Sequence, residues 1–180
     1  MKNKKVMVPF ADGFEEIEAF TIVDVLRRAG IDVDMVGVVG TMITGNHGIR
    51  VTMDKKISEA KADDYDGIAL PGGNPGYVNL GRSGVLIELI KKISGQGKLV
   101  AAICAAPVVL VKAGVLEGKR ATIYPGMEKE IPYPRSERVV VDGNVVTSQG
   151  PGTAMEFALK IAEVLVGKDV AYSVKRGLVI

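Results

Sequence analysis

The chain has no tryptophan, one cysteine and one histidine in 180 residues. A single cysteine excludes an intramolecular disulfide. One histidine with one cysteine is a poor start for a metal centre, which needs several ligands, so no metal is expected. Aromatic residues are only 5% of the chain, which leaves no evident platform for stacking bases. The net charge is +2 and charges of both signs are interspersed. Without a basic stripe, nucleic acid is not an expected partner. The longest apolar run, Leu99 to Val111, is interrupted by Pro107. It falls short of the roughly 18 residues of a membrane helix, so no membrane partner is expected. The N-terminal "MKNKKVMVPFADGFEE" has too short an apolar stretch for a signal peptide, and acids follow at once. The expectation is a soluble cytoplasmic protein. Neither a dinucleotide fingerprint nor a Walker P-loop occurs.

What is present suits a core. Hydrophobic residues are 47% of the chain, and this length suffices for one domain spanning residues 1–180. No linker, repeat or low-complexity tract divides it. "KKVMVPF", "DVDMVGVV", "GIAL" and "KLVAAI" read as strands. "FEEIEAFTIVDVLRRAG", "SGVLIELIKKISGQG", "AAPVVLVKAG" and "GTAMEFALKIAEVLVG" read as helices, several closed by glycine. "ERVVVDGNVVTS" reads as a hairpin. Strands alternating with helices predict a mostly parallel sheet covered on both faces. In such α/β folds ligands sit beyond the carboxyl ends of the strands. That directs attention to the loops after Phe10, Leu70, Ile103 and Ser148.

Cys104 lies in one of these loops, between strand-like "KLVAAI" and helix-like "AAPVVLVKAG". Its neighbours Ala102, Ala105 and Ala106 are small, as in a nucleophile elbow, where a strained turn leaves no room for more. The helix that follows is expected to lower the thiol pKa. A small buried core cysteine is the alternative. "LPGG" carries Gly72 and Gly73, whose N–H groups could serve as an oxyanion hole or simply as a tight turn. Glu15 and Glu16 suit the first turn of a helix. Glu18 lies one turn in, among apolar Phe14, Ile22 and Val25, so burial should raise its pKa and equip it to shuttle a proton. Gly150 and Gly152 suggest a tightly packed turn, with Thr153 as the cap of the next helix. His47, in "TGNHGIRV", falls in a loop or hairpin and would ordinarily be solvated.

Taken together, "AAICAAP", "LPGG", "GFEEIEA" with "VDVLRRAG", and "TSQGPGTAMEFAL" resemble the DJ-1/ThiJ/PfpI superfamily. They come in the family's order over nearly the whole chain. The branch they resemble is that of the parkinsonism-associated protein deglycase. The resemblance implies a flavodoxin-like three-layer α/β sandwich and a homodimer. It implies that Cys104 is the reactive cysteine and Glu18 its acidic partner. It places Gly72, Gly73 and Ala105 at the backbone oxyanion site. Arg28 matches a position near the dimer interface, and His47 falls close to a basic position that reaches the neighbouring site. The chain departs from the family at Tyr124, where relatives with a histidine near the cysteine carry it. The proteolytic branch has a histidine directly after the cysteine, where this chain has Ala105. A Cys–His–Glu triad therefore cannot form in the usual way, and protease and amidotransferase activities are disfavoured.

Two functions fit these residues. One is a cofactor-free enzyme acting on small reactive aldehydes or glycated thiols and amines, turning methylglyoxal into lactate through Cys104 and Glu18. The other is an oxidative-stress sensor or chaperone working through oxidation of Cys104 without turnover. A small-molecule-binding homodimer is the blander third. On either of the first two, Glu18→Gln is expected to raise the Cys104 pKa.

Overall fold

The computed structural model describes residues 3–180. Alternation of side chains along the first strand sets the architecture. In β1 (Lys5–Phe10), Val6, Val8 and Phe10 point into one apolar layer and Met7 into the other. The same division recurs in β6 (Gly67–Leu70), with Ala69 opposed to Ile68 and Leu70. It recurs again in β7 (Leu99–Ile103), with Leu99, Ala101 and Ile103 opposed to Val100 and Ala102. Strands buried on both faces need helices on both faces.

The helices supply that cover. On one side lie α1 (Glu16–Arg28), α5 (Ala154–Val166) and α6 (Lys168–Gly177), and the side chains of Ile22, Leu26, Phe157 and Ile161 on the first two are fully buried. On the other lie α2 (Gly76–Arg82), α3 (Gly84–Gly95) and α4 (Pro107–Lys112), contributing Leu80, Leu86, Ile90 and Leu110. Each such side chain removed from water stabilises the fold by about 1.5–3 kcal/mol. The helix ends are locally encoded. Ser83 accepts a hydrogen bond from the Leu86 N–H at 3.2 Å and caps α3. Gly30, at φ +74°, stops α1 after Arg27 and Arg28.

The remaining strands are β2 (Asp32–Gly37), the small hairpin β3 (Met42–Thr44) and β4 (Arg50–Thr52), β5 (Lys55–Lys56), β8 (Val139–Asp142) and β9 (Val145–Ser148). The main sheet runs β5-β2-β1-β6-β7-β9-β8. All pairings in it are parallel except β8 with β9. Among its five central strands this is the flavodoxin-like order. The expected three-layer α/β sandwich is present. Strand order reverses between β1 and β6, so a crevice opens beyond their carboxyl ends. No helix among the described residues is long and apolar enough to cross a membrane.

The structure also contains elements outside the sequence reading, namely α2, β5 and α6. One local expectation changes. Thr153 stands at the N-cap place of α5, but its hydroxyl makes no capping bond. It bonds instead to Ser148 Oγ at 2.6 Å and accepts from the Gly150 N–H at 3.1 Å, closing the turn before the helix.

Candidate active site

The chain leaves β7 at Ile103 and turns abruptly at Cys104, whose φ is +64°. A left-handed conformation costs a residue with a Cβ about 1–2 kcal/mol. Two hydrogen bonds hold it. The Cys104 N–H donates to the Ser148 carbonyl at 3.0 Å, and the Cys104 carbonyl accepts from the Tyr124 N–H at 2.9 Å. Ala102, Ala105 and Ala106 around the turn are all buried, which explains why nothing larger stands there. The elbow lifts the thiol to a half-buried position at the carboxyl end of the sheet.

Glu18 reaches the same place from α1. It is fully buried, and its Oε2 accepts the Gly72 N–H at 2.7 Å. Its Oε1 makes no regular hydrogen bond, and the carboxyl faces the Cys104 thiol. Gly72 sits wedged between the two. A Cβ there would lie 2.6 Å from Cys104 Cβ and 2.9 Å from Glu18 Oε2. Gly73 has φ +94°, a conformation that favours glycine. Its N–H and the one of Ala105 both reach the Cys104 sulfur.

The backbone donors therefore divide differently from the sequence expectation. Gly73 and Ala105 converge on the sulfur, whereas the Gly72 N–H is engaged by Glu18 and positions it.

The proton affinities follow from burial. Desolvation, helped by the charge of Glu15, raises the Glu18 pKa to about 7, against the opposing bonds from Gly72 and Cys104. Burial likewise pushes the Cys104 thiol up to about 12, and an ionised Glu18 adds to this. The N–H groups of Gly73 and Ala105 pull the other way without prevailing. Burial and the neighbouring carboxyl thus oppose the lowering expected from the helix that follows. The helix after Cys104 has only six residues and starts at Pro107. Two acids in contact favour a single negative charge between them.

The other candidate residues stand apart. Tyr124 is half-exposed, and its ring lies over Gly150, 3.4 Å from where a Cβ would be. It borders the elbow but hydrogen-bonds it only through the backbone. Arg28 pairs with Asp24 at 2.7 Å on the surface of α1. His47 lies in the β3–β4 turn with Nδ1 2.9 Å from Glu16 Oε2. One chain brings neither to Cys104. Two contributors escaped the sequence reading: the Ser148 carbonyl, which holds the elbow, and Glu15, whose charge acts on Glu18.

A buried carboxyl thus faces a cysteine on a left-handed elbow at the reversal point of this sheet. The model of the DJ-1/PfpI family matches residues 4–164. The chain belongs to the DJ-1/PfpI family. It is 42% identical over 183 residues to protein dj-1beta of Drosophila melanogaster, covering 99% of this chain and 98% of that one. To the Parkinson disease protein 7 homolog of Danio rerio it is 41% identical, covering 100% of this chain and 99% of that one. The structure of oxidized Toxoplasma gondii DJ-1 superimposes with a TM-score of 0.95 at 42% identity, covering 98% of each chain. DJ-1/PfpI membership thus extends over the whole site, from Glu18 to the turn at Ser148.

Proposed function

We propose that this chain is a cofactor-free, cysteine-dependent enzyme for small reactive carbonyls, converting methylglyoxal to lactate and acting in the same way on adducts of such aldehydes with thiols or amines. The observation that carries the reading is the Glu18 carboxyl lying against the elbow thiol with an unpartnered Oε1. A carboxyl with a pKa near 7 can both accept and return a proton near neutrality.

The steps balance without a cofactor. The Glu18 carboxylate takes the thiol proton as the sulfur bonds to the aldehyde carbon. The N–H groups of Gly73 and Ala105 steady the developing oxyanion, which takes the proton and closes the hemithioacetal. Glu18 then removes the proton from that carbon and returns it to the neighbouring carbon through an enediol, while the hemithioacetal hydroxyl proton passes to the former ketone oxygen, leaving a lactyl thioester. Water cleaves the thioester, releasing lactate and restoring the thiol. A nucleophile that starts as a protonated thiol makes this a slow enzyme.

Sensing of oxidants through Cys104 is the second reading, and the oxidized state named for the Toxoplasma relative favours it. A raised thiol pKa slows both readings, because peroxides and aldehydes alike react with the thiolate. We also read the protein as a homodimer. The exposed Ile17 on α1 and Ile49 beside the β3–β4 turn support this, and light scattering on the purified chain tests it.

The deciding experiment measures lactate formed from methylglyoxal without glutathione, wild type beside Cys104→Ser. Lactate from the wild type alone is the expected result. Lactate from neither overturns the enzymatic reading and leaves sensing.

A further inference from the structure

One of the two clamps on Cys104 sits where a strand runs out. β9 ends at Ser148, which stands in register with Ile103, the last residue of β7, and with Val139, the first of β8. Strand ends open more readily than strand centres. Yet the Ser148 carbonyl accepts the Cys104 N–H at 3.0 Å. It thereby keeps a residue with a Cβ at φ +64°, a conformation such a residue otherwise leaves. A hook at a strand end works only if something beyond the ladder fixes it.

Two buried hydroxyls do so. Ser148 is fully buried and Thr153 nearly so. Their oxygens are 2.6 Å apart, a spacing that requires a shared proton. Ser148 Oγ also lies 2.7 Å from the Arg138 carbonyl, and Thr153 Oγ1 lies 2.9 Å from the Gly150 carbonyl. The Gly150 N–H donates to Thr153 Oγ1 at 3.1 Å. The pair has two hydroxyl protons, so one lies between the oxygens and the other goes to one of the two carbonyls. The link runs from the residue before β8, through both side chains, to the turn before α5. Thr153 stands at the N-cap place of α5 and makes no capping bond there, although threonine suits that task. Its hydroxyl is engaged at the strand end instead.

We propose that Ser148 and Thr153 are positioning residues for the elbow thiol, fixing the Ser148 carbonyl so that Cys104 keeps its left-handed backbone. They act through the main chain. With either hydroxyl gone, the end of β9 opens, the hook withdraws and Cys104 relaxes to negative φ. The sulfur then leaves its place against Glu18 and turns toward water. Burial, which pushes the thiol up to about 12, is relieved, and its proton affinity falls toward the ordinary value of about 8.5. The enzymatic reading, on which this role rests, uses the same elbow, while the thiol itself reports on the clamp with or without turnover.

The full chain is compared with Thr153→Val, Ser148→Ala, Thr153→Ser and Ile161→Val. Labelling of Cys104 by iodoacetamide, followed by mass spectrometry across neutral and alkaline pH, reads the thiol in the folded protein. Thr153→Val keeps the shape of the side chain and removes its hydroxyl, and Ser148→Ala removes the other. Each should label faster near neutrality by about 10-fold or more, with a pH profile moved toward that of a free thiol. Each should also form lactate with kcat lowered about 10-fold and KM little changed. Thr153→Ser retains the hydroxyl and should follow the wild type. Ile161→Val loosens the buried face of α5 without touching either hydroxyl, so it should lower the melting temperature and leave the labelling profile unchanged. Wild-type labelling in Thr153→Val or in Ser148→Ala overturns the assignment. The same shift in Ile161→Val overturns it too, since lowered stability would then be the cause, and so does the same shift in Thr153→Ser, which would separate the effect from the hydroxyl. Absence of lactate from the wild type overturns only the enzymatic reading, and the labelling rates still decide the clamp.

Discussion

Replacing Glu18 by glutamine isolates the electrostatic cost of the site. Glutamine keeps a side-chain oxygen to accept the Gly72 N–H and removes only the ionisation. In the folded chain the Glu18 pKa rises from an ordinary 4.5 to about 7, first because the group is buried. At about 1.4 kcal/mol per pH unit, this displacement corresponds to about 3 kcal/mol. The sign follows from which state binds the proton more tightly. Below pH 4.5 both folded and unfolded chains hold it, and the contribution to stability is fully present. As pH rises the unfolded chain releases it first, so stability falls, and the loss is complete once pH has passed through 7. Glu18→Gln has no such term. Its stability minus that of the wild type should therefore grow by about 3 kcal/mol between about pH 4.5 and pH 8.5. Urea denaturation at fixed protein concentration reads this as a relative midpoint shift of about 1–2 M. Other titrating groups, such as Glu16 and Asp34, are common to both chains and cancel. Parallel stability curves would refute the argument, since they would mean that Glu18 ionises in the fold as readily as in water.

The same substitution should lower the Cys104 pKa, the reverse of the sequence expectation, because an ionised Glu18 is one of the causes holding it up; ultraviolet titration of the thiolate reads the direction. Gly72→Ala should destabilise the fold by about 1–3 kcal/mol and abolish lactate formation, since its methyl group would collide with both Cys104 and Glu18; thermal melting and the lactate assay check the two parts. Tyr124→His should speed turnover of methylglyoxal if an imidazole beside the elbow assists proton transfer, and an unchanged rate would leave Tyr124 as a wall over Gly150.

Much of this molecule is legible in its residues, for identifiable reasons. The short apolar run of "KLVAAI" and glycine after "VDVLRR" are local signals, and the structure forms a strand and a helix there. The α6 segment "KDVAYSVKRG" buries Ala171 and Val174 along one face, a short helical pattern that follows directly on α5. α2 carries glycine at both Gly76 and Gly81, which reads as a turn until tertiary packing overrides propensity. Small residues around Cys104 disclosed the elbow. The division of labour between Gly72 and Gly73 could not be read, because spacing does not tell where an N–H points. The direction of the thiol pKa depended on how deeply Glu18 is buried, a property of the assembled layers. Glu16 and His47 meet across 31 positions, and no local pattern links them.

The two bonds that secure the cysteine come from far along the chain. Ser148 ends β9 and Tyr124 follows the α4 region, so neither belongs to the strand-turn-helix that carries the thiol. The reactive residue is thus not a portable segment. Transplanting residues 98–114 into another α/β scaffold would carry the sulfur without the clamps that keep its backbone left-handed, and the elbow would relax. During synthesis the sulfur emerges well before Ser148. The turn that holds the thiol is therefore complete only when the last strand has joined the sheet.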